Sequence, residues 1–185
     1  MVLLERRKML KKILANKTYP VVFLAIIVTV SVVLLIAFNN LTSSVVESRK
    51  AEEITGILEE IFPEMSRYEL EGEVYTIYQD DAKAGYAFKA SGSGYSGDID
   101  ILVGLDNNFG IIGISILSQT ETPGMGNKIT ENSFTDQFKG LSVSDIALKS
   151  EGGKIDAITG ATISSRAVVD AIQEKMVEII DTLEK

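Results

Sequence analysis

A run of nineteen residues without a charged side chain, from Pro20 to Phe38, constrains this chain more than any other feature. As an α-helix the run would be about 28 Å long, close to the roughly 30 Å hydrocarbon core of a bilayer. Its two hydroxyl residues, Thr29 and Ser31, can both hydrogen-bond to the helix backbone within lipid. We therefore expect a single transmembrane helix over residues 19–39.

A cleaved signal peptide is the alternative interpretation of this run. Signal peptides have a shorter apolar core, and the residues after Phe38, Asn-Asn-Leu-Thr-Ser-Ser, contain no clear small-x-small cleavage site. Six Lys or Arg residues and one Glu precede the run. The positive-inside rule therefore predicts a cytoplasmic basic N-terminus over residues 1–18, and an extracytoplasmic domain over residues 40–185 of a protein of the cytoplasmic membrane.

The composition of the outer domain excludes several classes of function. After residue 40 the chain has twelve basic and twenty-five acidic residues, a net charge of −13, which repels the phosphate backbone of nucleic acids. Cys and His are absent. Disulfides, structural zinc, haem ligation by His and Ser-His-Asp catalysis are therefore excluded, and we expect no metal site. Carboxylates, hydroxyls, Lys, Arg and Tyr remain for chemistry, unless a cofactor supplies it.

Hydrophobic periodicity predicts an α+β domain in which helices flank an antiparallel sheet. Two hairpins are expected, one with a polar turn over residues 80–84 and one with an Asp-Asn-Asn-Phe-Gly turn. The predicted strands are Glu73–Gln79, Gly85–Ala90, Asp98–Leu105 and Ile112–Ile116. The predicted helices are Val45–Phe62, which Pro63 ends, Ser133–Phe138 and Ser164–Leu183.

The segment Asp-Ala-Ile-Thr-Gly-Ala-Thr, from Asp156 to Thr162, leads directly into the last predicted helix. Its hydroxyls fit two interpretations. Thr162 or Ser164 can be an ordinary N-cap of the helix. Alternatively, the helix N-terminus can bind an anion, because its backbone N–H groups and its dipole favour negative charge. Gly160 and Ala161 would let a phosphate approach the backbone closely.

Three segments together resemble a known family. Residues 156–162 are similar to the D-x-x-[ST]-G-A-T attachment signal of FMN-binding domains, in which FMN is esterified to the final Thr. Residues 119–128, Gln-Thr-Glu-Thr-Pro-Gly-Met-Gly-Asn-Lys, resemble the E-T-P-G-[LM]-G loop of that family. Residues 94–99, Gly-Tyr-Ser-Gly-Asp-Ile, resemble its G-Y-x-G segment before the central hairpin. The three occur in the order that the family has.

The length and the anchor resemble the G subunit of Rnf-type ion-translocating electron-transport complexes. The C subunit of sodium-pumping NADH:quinone reductases shares the signal but is usually longer. The resemblance implies a flavoprotein that carries electrons through FMN covalently bound to Thr162, attached by a separate flavin transferase that uses FAD. It also implies integral and peripheral partner subunits of a complex that couples electron flow between ferredoxin and NAD to ion translocation. One component of such a complex has no complete activity alone.

The resemblance also implies a set of flavin-binding residues around Thr162. Thr159, Gly160 and Ala161 would form the turn that exposes the Thr162 hydroxyl. Glu121 and Thr122 would meet the ribityl chain or the ring edge; the alternatives are a solvated carboxylate and a turn residue. The Pro123-Gly124 pair predicts a tight turn beside them.

Four further side chains are candidates with equally plain alternatives. Met125 would pack against the flavin ring or fill the core. Tyr95 would stack on the ring or cover the sheet edge. Lys128, like Arg166, would be a counter-charge to the phosphate or a surface cation. Asp98 and Asp100 lie two apart on one strand and would be solvated rather than bind a cation.

Two other functions compete with the electron carrier. A non-redox single-pass docking protein would use its acidic face to bind a partner, and its Thr-Gly-Ala-Thr segment would be a helix cap only. An autonomous flavin reductase would need proton donors beside the ring. The sequence has no Arg- or His-rich cluster for that role, although Tyr or Lys could serve.

Overall fold

The computed structural model describes the backbone of residues 19–183 and the side chains of residues 20–38 and 51–183. The chain divides into two compact units, Met1–Glu53 and Ile54–Lys185. The predicted cytoplasmic segment, residues 1–18, lies outside the described residues. The segment Pro20–Phe38 is long and apolar enough to cross a membrane. Within it the Thr29 hydroxyl donates a hydrogen bond to the carbonyl of Ala25 at 2.8 Å.

The first helix, α1, runs from Tyr19 to Ile61 without a break. The prediction of a separate helix beginning at Val45 was therefore wrong at its start. The physical reason is that residues 39–44 contain neither Pro nor Gly, the residues that most strongly interrupt a helix. Pro63 follows the end of the helix, as predicted, since its ring cannot continue one.

Five antiparallel strands follow and pair in the order in which they occur in the chain. The strands are β1 (Arg67–Glu71), β2 (Val74–Gln79), β3 (Ala82–Ser93), β4 (Asp98–Asp106) and β5 (Ile111–Ser118). Each strand is therefore hydrogen-bonded to its neighbours in sequence, and β4 lies between β3 and β5. The turn Asp-Asn-Asn-Phe-Gly joins β4 to β5 as predicted, with the Asp106 carboxylate accepting the N–H groups of Asn108 and Gly110.

The sheet has one strand more than predicted, and β3 and β5 are longer than their predicted ranges, Gly85–Ala90 and Ile112–Ile116. The pattern did not predict β1, an edge strand whose side chains are mostly exposed and therefore do not alternate in hydrophobicity. Strand β3 begins at Ala82, so the turn after β2 is shorter than the predicted residues 80–84. Asp80 has a φ of +53° in this turn, a conformation that Asp tolerates better than most residues.

The last helix, α3 (Thr162–Leu183), covers one face of the sheet. Residues along one side of α3 pack against alternate residues of β4, which lie on one face of the sheet: Ile99, Ile101, Val103 and Leu105. The helix approaches β3 closely, because a Cβ on Gly92 would clash with the carbonyl of Ala167. The buried side of α3 is formed by Val168, Val169, Ile172, Met176 and Ile179.

The other face of the sheet carries a smaller apolar cluster. It contains Leu102 of β4 together with Ile54 and Leu58 from the end of α1 and Phe62, which directly follows the helix. Strand β4 is therefore buried on both faces, which explains why five consecutive residues, Ile101 to Leu105, are buried.

Short helical turns connect β5 to α3. They are α2 (Asn132–Thr135) and the 3₁₀ turns Gly126–Thr130, Asp136–Phe138, Val143–Asp145 and Lys149–Glu151. The predicted short helix over Ser133–Phe138 is thus α2 followed by a 3₁₀ turn. Phe134 and Phe138 are buried from this segment into the core on the α3 side of the sheet. Gly140, at a φ of +74°, follows the end of the segment.

Substitution of Leu102 tests whether the smaller cluster holds the sheet. Leu102→Ala removes a fully buried side chain, and we expect a loss of roughly 2–5 kcal/mol in the free energy of unfolding. Chemical denaturation of the full chain measures it. Asp100→Ala, at an exposed position of the same strand, is the control. Equal stability of the two variants would show that the cluster contributes little.

Candidate functional site

Two tight turns with the same design lie next to each other at the start of α3. The first is Thr122–Met125, in which the Met125 N–H donates to the carbonyl of Thr122 at 3.1 Å. Pro123 and Gly124 occupy its central positions, and Gly124 has a φ of +77°. Pro followed by a residue with positive φ is the arrangement of a type II turn. The predicted Pro-Gly turn is therefore present.

The second turn is Ile158–Ala161, in which the Ala161 N–H donates to the carbonyl of Ile158 at 2.9 Å. Gly160 occupies its third position with a φ of +83°, where a side chain would be strained. A Cβ at Gly160 would lie 3.4 Å from the Met125 methyl carbon. The two turns therefore meet through Met125 and Gly160.

The three hydroxyl side chains at the start of α3 differ in what they bind. Ser165 is fully buried; its hydroxyl accepts the Ile158 N–H and donates to the Ala161 carbonyl, both at 3.0 Å. Ser164 is buried and donates to the Glu121 carboxylate at 2.6 Å. Thr162 is exposed, and its hydroxyl has no hydrogen-bond partner within the described part of the chain. Thr162 is thus presented to solvent while its two neighbours hold the backbone.

The helix also begins with free backbone donors. The first N–H that bonds back is that of Ser165, to the carbonyl of Ala161 at 3.0 Å. The N–H groups of Thr162, Ile163 and Ser164 have no hydrogen-bond partner among the residues that the structure describes. This arrangement differs from the N-cap alternative, because neither Thr162 nor Ser164 caps these groups with its hydroxyl. The helix start is therefore open to an anionic group.

Glu121 is a buried carboxylate that connects this helix start to a third segment. It is 4% exposed, and its Oε1 accepts the Ser96 N–H at 2.9 Å while its Oε2 accepts the Ser164 hydroxyl. The Glu121 backbone N–H donates to the Gln119 side chain at 2.6 Å. The alternative of a solvated loop carboxylate was therefore wrong, because every oxygen of this side chain is engaged inside the protein.

A cavity of about 560 Å³ opens between these segments. It contains seven of the nine predicted site residues and three that were not predicted as such. The predicted residues that line it are Tyr95, Glu121, Thr122, Met125, Gly160, Ala161 and Thr162. The additional lining residues are Gly126, Ile163 and Ser164. Gly126 belongs to the motif segment 119–128, and Ile163 and Ser164 directly follow Thr162; this proximity was the signal available in the sequence.

Thr159 and Lys128 are predicted site residues that do not line the cavity. Thr159 occupies the second position of the turn before α3, and Lys128 lies in the 3₁₀ turn Gly126–Thr130. Arg166 is bonded to the Glu151 carboxylate at 2.5 Å. Among the described residues, no cationic side chain lines the cavity, so the open start of α3 is its positive end.

Asp156, the first residue of the segment 156–162, also does not line the cavity. Its carboxylate binds the Lys149 ammonium at 2.5 Å, and its backbone N–H donates to the Gln137 side chain at 2.8 Å. Asp156 therefore attaches the segment to the preceding turns.

Tyr95, Met125 and Ile163 form an apolar rim around the cavity. They are 72%, 49% and 52% exposed, respectively, which is unusual for side chains of their size. Met125 therefore does not fill the core. The rim and the open helix start place an apolar surface and an anion-binding group within one cavity, which is the combination that a planar ring bearing a phosphate requires.

Comparison with known proteins agrees with this geometry. Residues 94–176 match the model of the FMN-binding domain family. The G subunit of the ion-translocating oxidoreductase complex of Methanosarcina acetivorans is 32% identical over 169 residues, which are 84% of this chain and 90% of that one. The G subunit of Vibrio cholerae is 29% identical, covering 85% and 87% of the two chains. The G subunit of Haemophilus influenzae is 39% identical over a shorter stretch, which is 52% of this chain and 51% of that one.

Two solved structures are similar over about half of the chain. NqrC of Shewanella oneidensis has 23% identity and a TM-score of 0.48, covering 56% of this chain and 54% of that one. The C subunit of the Na⁺-translocating NADH-quinone reductase of Parabacteroides distasonis has 25% identity and a TM-score of 0.48, covering 55% and 57%.

The family is identified by the G subunits of Methanosarcina acetivorans and Vibrio cholerae, because their similarity extends well beyond the FMN-binding domain. The match to the G subunit of Methanosarcina acetivorans covers most of both chains. The FMN-binding domain match contains all three motif segments, from Gly94 to the middle of α3. The chain therefore belongs to the family of the G subunits of ion-translocating oxidoreductase complexes, and is a membrane protein with an FMN-binding domain.

Proposed function

We propose that this chain carries electrons within an ion-translocating oxidoreductase complex of the Rnf type, through FMN bound covalently to Thr162. The observation that carries the proposal is the state of the three hydroxyls at the start of α3. Ser164 and Ser165 hold the backbone, whereas the Thr162 hydroxyl is exposed and without a partner among the described residues. It is the hydroxyl best placed to react.

The residues present fit an FMN group. A cavity of about 560 Å³ lies within the usual range for cofactor sites. The N–H groups at the start of α3 suit a phosphodiester, which retains one negative charge, and such an interaction is worth roughly 0.3–1 kcal/mol at an exposed site. Tyr95, Met125 and Ile163 suit a flat apolar ring. Lys128 and Thr159, which the resemblance suggested, are outside this arrangement.

Attachment is a phosphoryl-group transfer in which Thr162 is the nucleophile. The Thr162 Oγ forms a bond to the flavin-side phosphorus of FAD, and the bond between that phosphorus and the bridging oxygen breaks. AMP leaves with the bridging oxygen, and the hydroxyl proton is released. A separate flavin transferase supplies the FAD. Covalent attachment prevents the protein from losing FMN outside the cytoplasm, where lost FMN would not be replaced.

The role of a carrier fits the side chains that this chain has. Without His and Cys, it depends on the bound flavin for redox chemistry, and passing electrons requires no acid–base residue of its own. The partners are the other integral and peripheral subunits of the complex, which link ferredoxin to NAD. The span Pro20–Phe38 contains no charged residue to carry an ion. Ion translocation therefore belongs to other subunits.

The competing functions make different predictions. A docking protein would carry no flavin, and its Thr162 would be dispensable. The role of the C subunit in a sodium-pumping NADH:quinone reductase would use the same attachment, but the relatives that match over most of this chain are named as G subunits. The carrier of an Rnf-type complex is therefore the function that these observations support best.

Thr162→Ala tests the attachment. We expect the intact mass of the wild-type chain, purified from its own host, to exceed the sequence mass by one FMN less one water. The alanine variant should lack this increment and show no flavin fluorescence on a denaturing gel, because it has no Oγ to form the ester. Intact-mass spectrometry measures both.

Thr182→Ala is the matched control for this substitution, because Thr182 is an exposed Thr in the last turn of the same helix, bonded to the Glu178 carbonyl. It should retain the full increment. An unmodified wild-type chain from the native host would rule out the flavin carrier and favour the docking protein.

Electron transfer through the assembled complex distinguishes an electron carrier from a docking protein. In membranes that contain Thr162→Ala, we expect the subunits to assemble but ferredoxin-dependent reduction of NAD⁺ to fall to background. Co-purification of the subunits and the rate of NADH formation measure the two properties. Wild-type rates in the alanine variant would show that electrons do not pass through Thr162.

The predicted topology is testable because the chain has no native Cys. Glu71→Cys lies in β1, at an exposed position. We expect a membrane-impermeant maleimide to label it in intact cells of the host, whereas Lys8→Cys in the basic N-terminus should be labelled only after the membrane is permeabilised. The opposite pattern would place the FMN-binding domain in the cytoplasm.

A further inference from the structure

Glu121 is the buried carboxylate that joins the three motif segments. Its Oε1 accepts the N–H of Ser96, in the Gly-Tyr-Ser-Gly turn, and its Oε2 accepts the hydroxyl of Ser164, in the first turn of α3. Glu121 itself belongs to the loop that carries the Pro-Gly turn. One side chain thus links segments that are 25 and 43 residues away in the chain.

The structure makes room for this carboxylate with two glycines. A Cβ at Gly94 would clash with Glu121 Oε1, and a Cβ at Gly126 would lie 2.5 Å from Glu121 Oε2. Real Cβ atoms do not approach this closely, and the obstacle here is a side chain held by hydrogen bonds on both oxygens. Gly94 and Gly126 each belong to one of the motif segments. The volume that the Glu121 carboxylate needs therefore explains why both positions are Gly.

Burial of the carboxylate has an energetic cost that its partners offset. A carboxylate removed from water is stable only when hydrogen bonds and favourable dipoles replace its hydration. Here it accepts one backbone N–H and one hydroxyl, both charge-assisted, and lies at the positive end of α3. Both oxygens are directed to protein atoms. This arrangement holds the backbone, because each oxygen is bonded to a different segment of the chain.

We propose that Glu121 is a positioning residue for flavin attachment, which sets the direction of the Thr162 hydroxyl by fixing the first turn of α3 through Ser164. This role rests on the proposed function of Thr162. Ser165 holds the inner side of the same turn through the Ile158 N–H and the Ala161 carbonyl. Thr162 is therefore held between two anchors, and in-line attack by its Oγ on the flavin-side phosphorus of FAD needs both.

The consequence is a loss of rate without a loss of docking. When Thr162 is misdirected, the flavin transferase still binds the chain but meets the hydroxyl in an unproductive orientation. A displacement of about 1 Å in a reacting group can lower a rate by about 100-fold. We therefore expect the effect in kcat of the transfer and not in KM for the chain.

The experiment measures flavin attachment to the full-length chain in detergent, with FAD and the flavin transferase, by intact mass against time. We expect Glu121→Ala to lower kcat at least about tenfold with KM within about twofold of wild type. Ser164→Ala should show the same pattern, because it removes the same link while Glu121 stays. The double variant should be no slower than Glu121→Ala alone, because Glu121→Ala already removes the contact with Ser164.

Glu121→Gln provides the rescue. The amide oxygen can accept the Ser96 N–H, and the amide NH₂ can donate to the Ser164 hydroxyl, so both links persist in nearly the same volume. We expect attachment within about threefold of wild type and an unchanged visible spectrum of the attached flavin. Glu131→Ala, at an exposed carboxylate near the same loop, is the matched control and should attach flavin at the wild-type rate.

Four outcomes would overturn the proposal. Wild-type rates in both Glu121→Ala and Ser164→Ala would exclude positioning while leaving attachment intact. A rise in KM instead of a fall in kcat would make Glu121 part of the transferase docking surface. An altered flavin spectrum in Glu121→Gln would indicate direct contact with the flavin. A wild-type chain that accepts no flavin would overturn the attachment itself, and this role with it.

Thermal unfolding of each variant separates positioning from loss of the fold. Ser164→Ala removes one hydroxyl and leaves the carboxylate in place, so it remains informative where Glu121→Ala does not fold. A variant that unfolds with the wild-type midpoint but attaches flavin slowly supports the positioning role. Slow attachment that follows the fraction of unfolded chain, in every variant, would contradict it.

Discussion

The packing of α3 across the sheet is the contact on which the site depends. The apolar side of the helix, including Val168, Ile172 and Met176, is buried against the inner residues of β4. The close approach at Gly92 leaves the helix little freedom to slide along β3. Because these contacts fix the helix axis, its first turn lies where the β3–β4 turn and the loop after β5 also come. Thr162 is exposed at that junction.

The hydrogen bonds at the helix start then assign a role to each hydroxyl. Ser165 is directed inward and completes the turn before the helix, while Ser164 binds Glu121. These bonds satisfy groups that would otherwise be buried without partners, which is costly in a protein interior. Thr162 bears no such constraint among the described residues. The neighbours of Thr162 thus hold the local structure, whereas the Thr162 hydroxyl stays exposed, as the proposed attachment requires.

Electrostatics distinguishes this cavity from sites that hold phosphate with Lys or Arg. The domain is strongly acidic, and Arg166 is bonded to Glu151, while Lys128 lies outside the lining. In the proposed function, the open N–H groups of α3 would therefore be the positive partner of the phosphodiester. Backbone donors have a fixed direction and are not lost by a change of rotamer. A covalent bond, rather than charge, would then be the main attachment of the flavin.

Local features of the fold could be predicted from the sequence, whereas features that depend on long-range contacts could not. The Pro-Gly turn, the Asp106 turn and the inner face of β4 were predictable, because each depends on residues adjacent in the chain. Strand β1 was not, since its exposed side chains do not alternate, and neither was the continuity of α1, since its middle lacks both a breaker and a clear pattern. Boundaries of this kind depend on tertiary contacts and on pairing with a neighbouring strand.

The sequence by itself determined the apolar span, the absence of His and Cys, the three motif segments and therefore the cofactor class. Only the tertiary structure decided which residues of those segments face one cavity. It placed Glu121 between Ser96 and Ser164, and left Lys128 and Thr159 outside. The physical reason is that a hydrogen bond across 43 residues of chain depends on how α3 packs on the sheet, which no local pattern encodes.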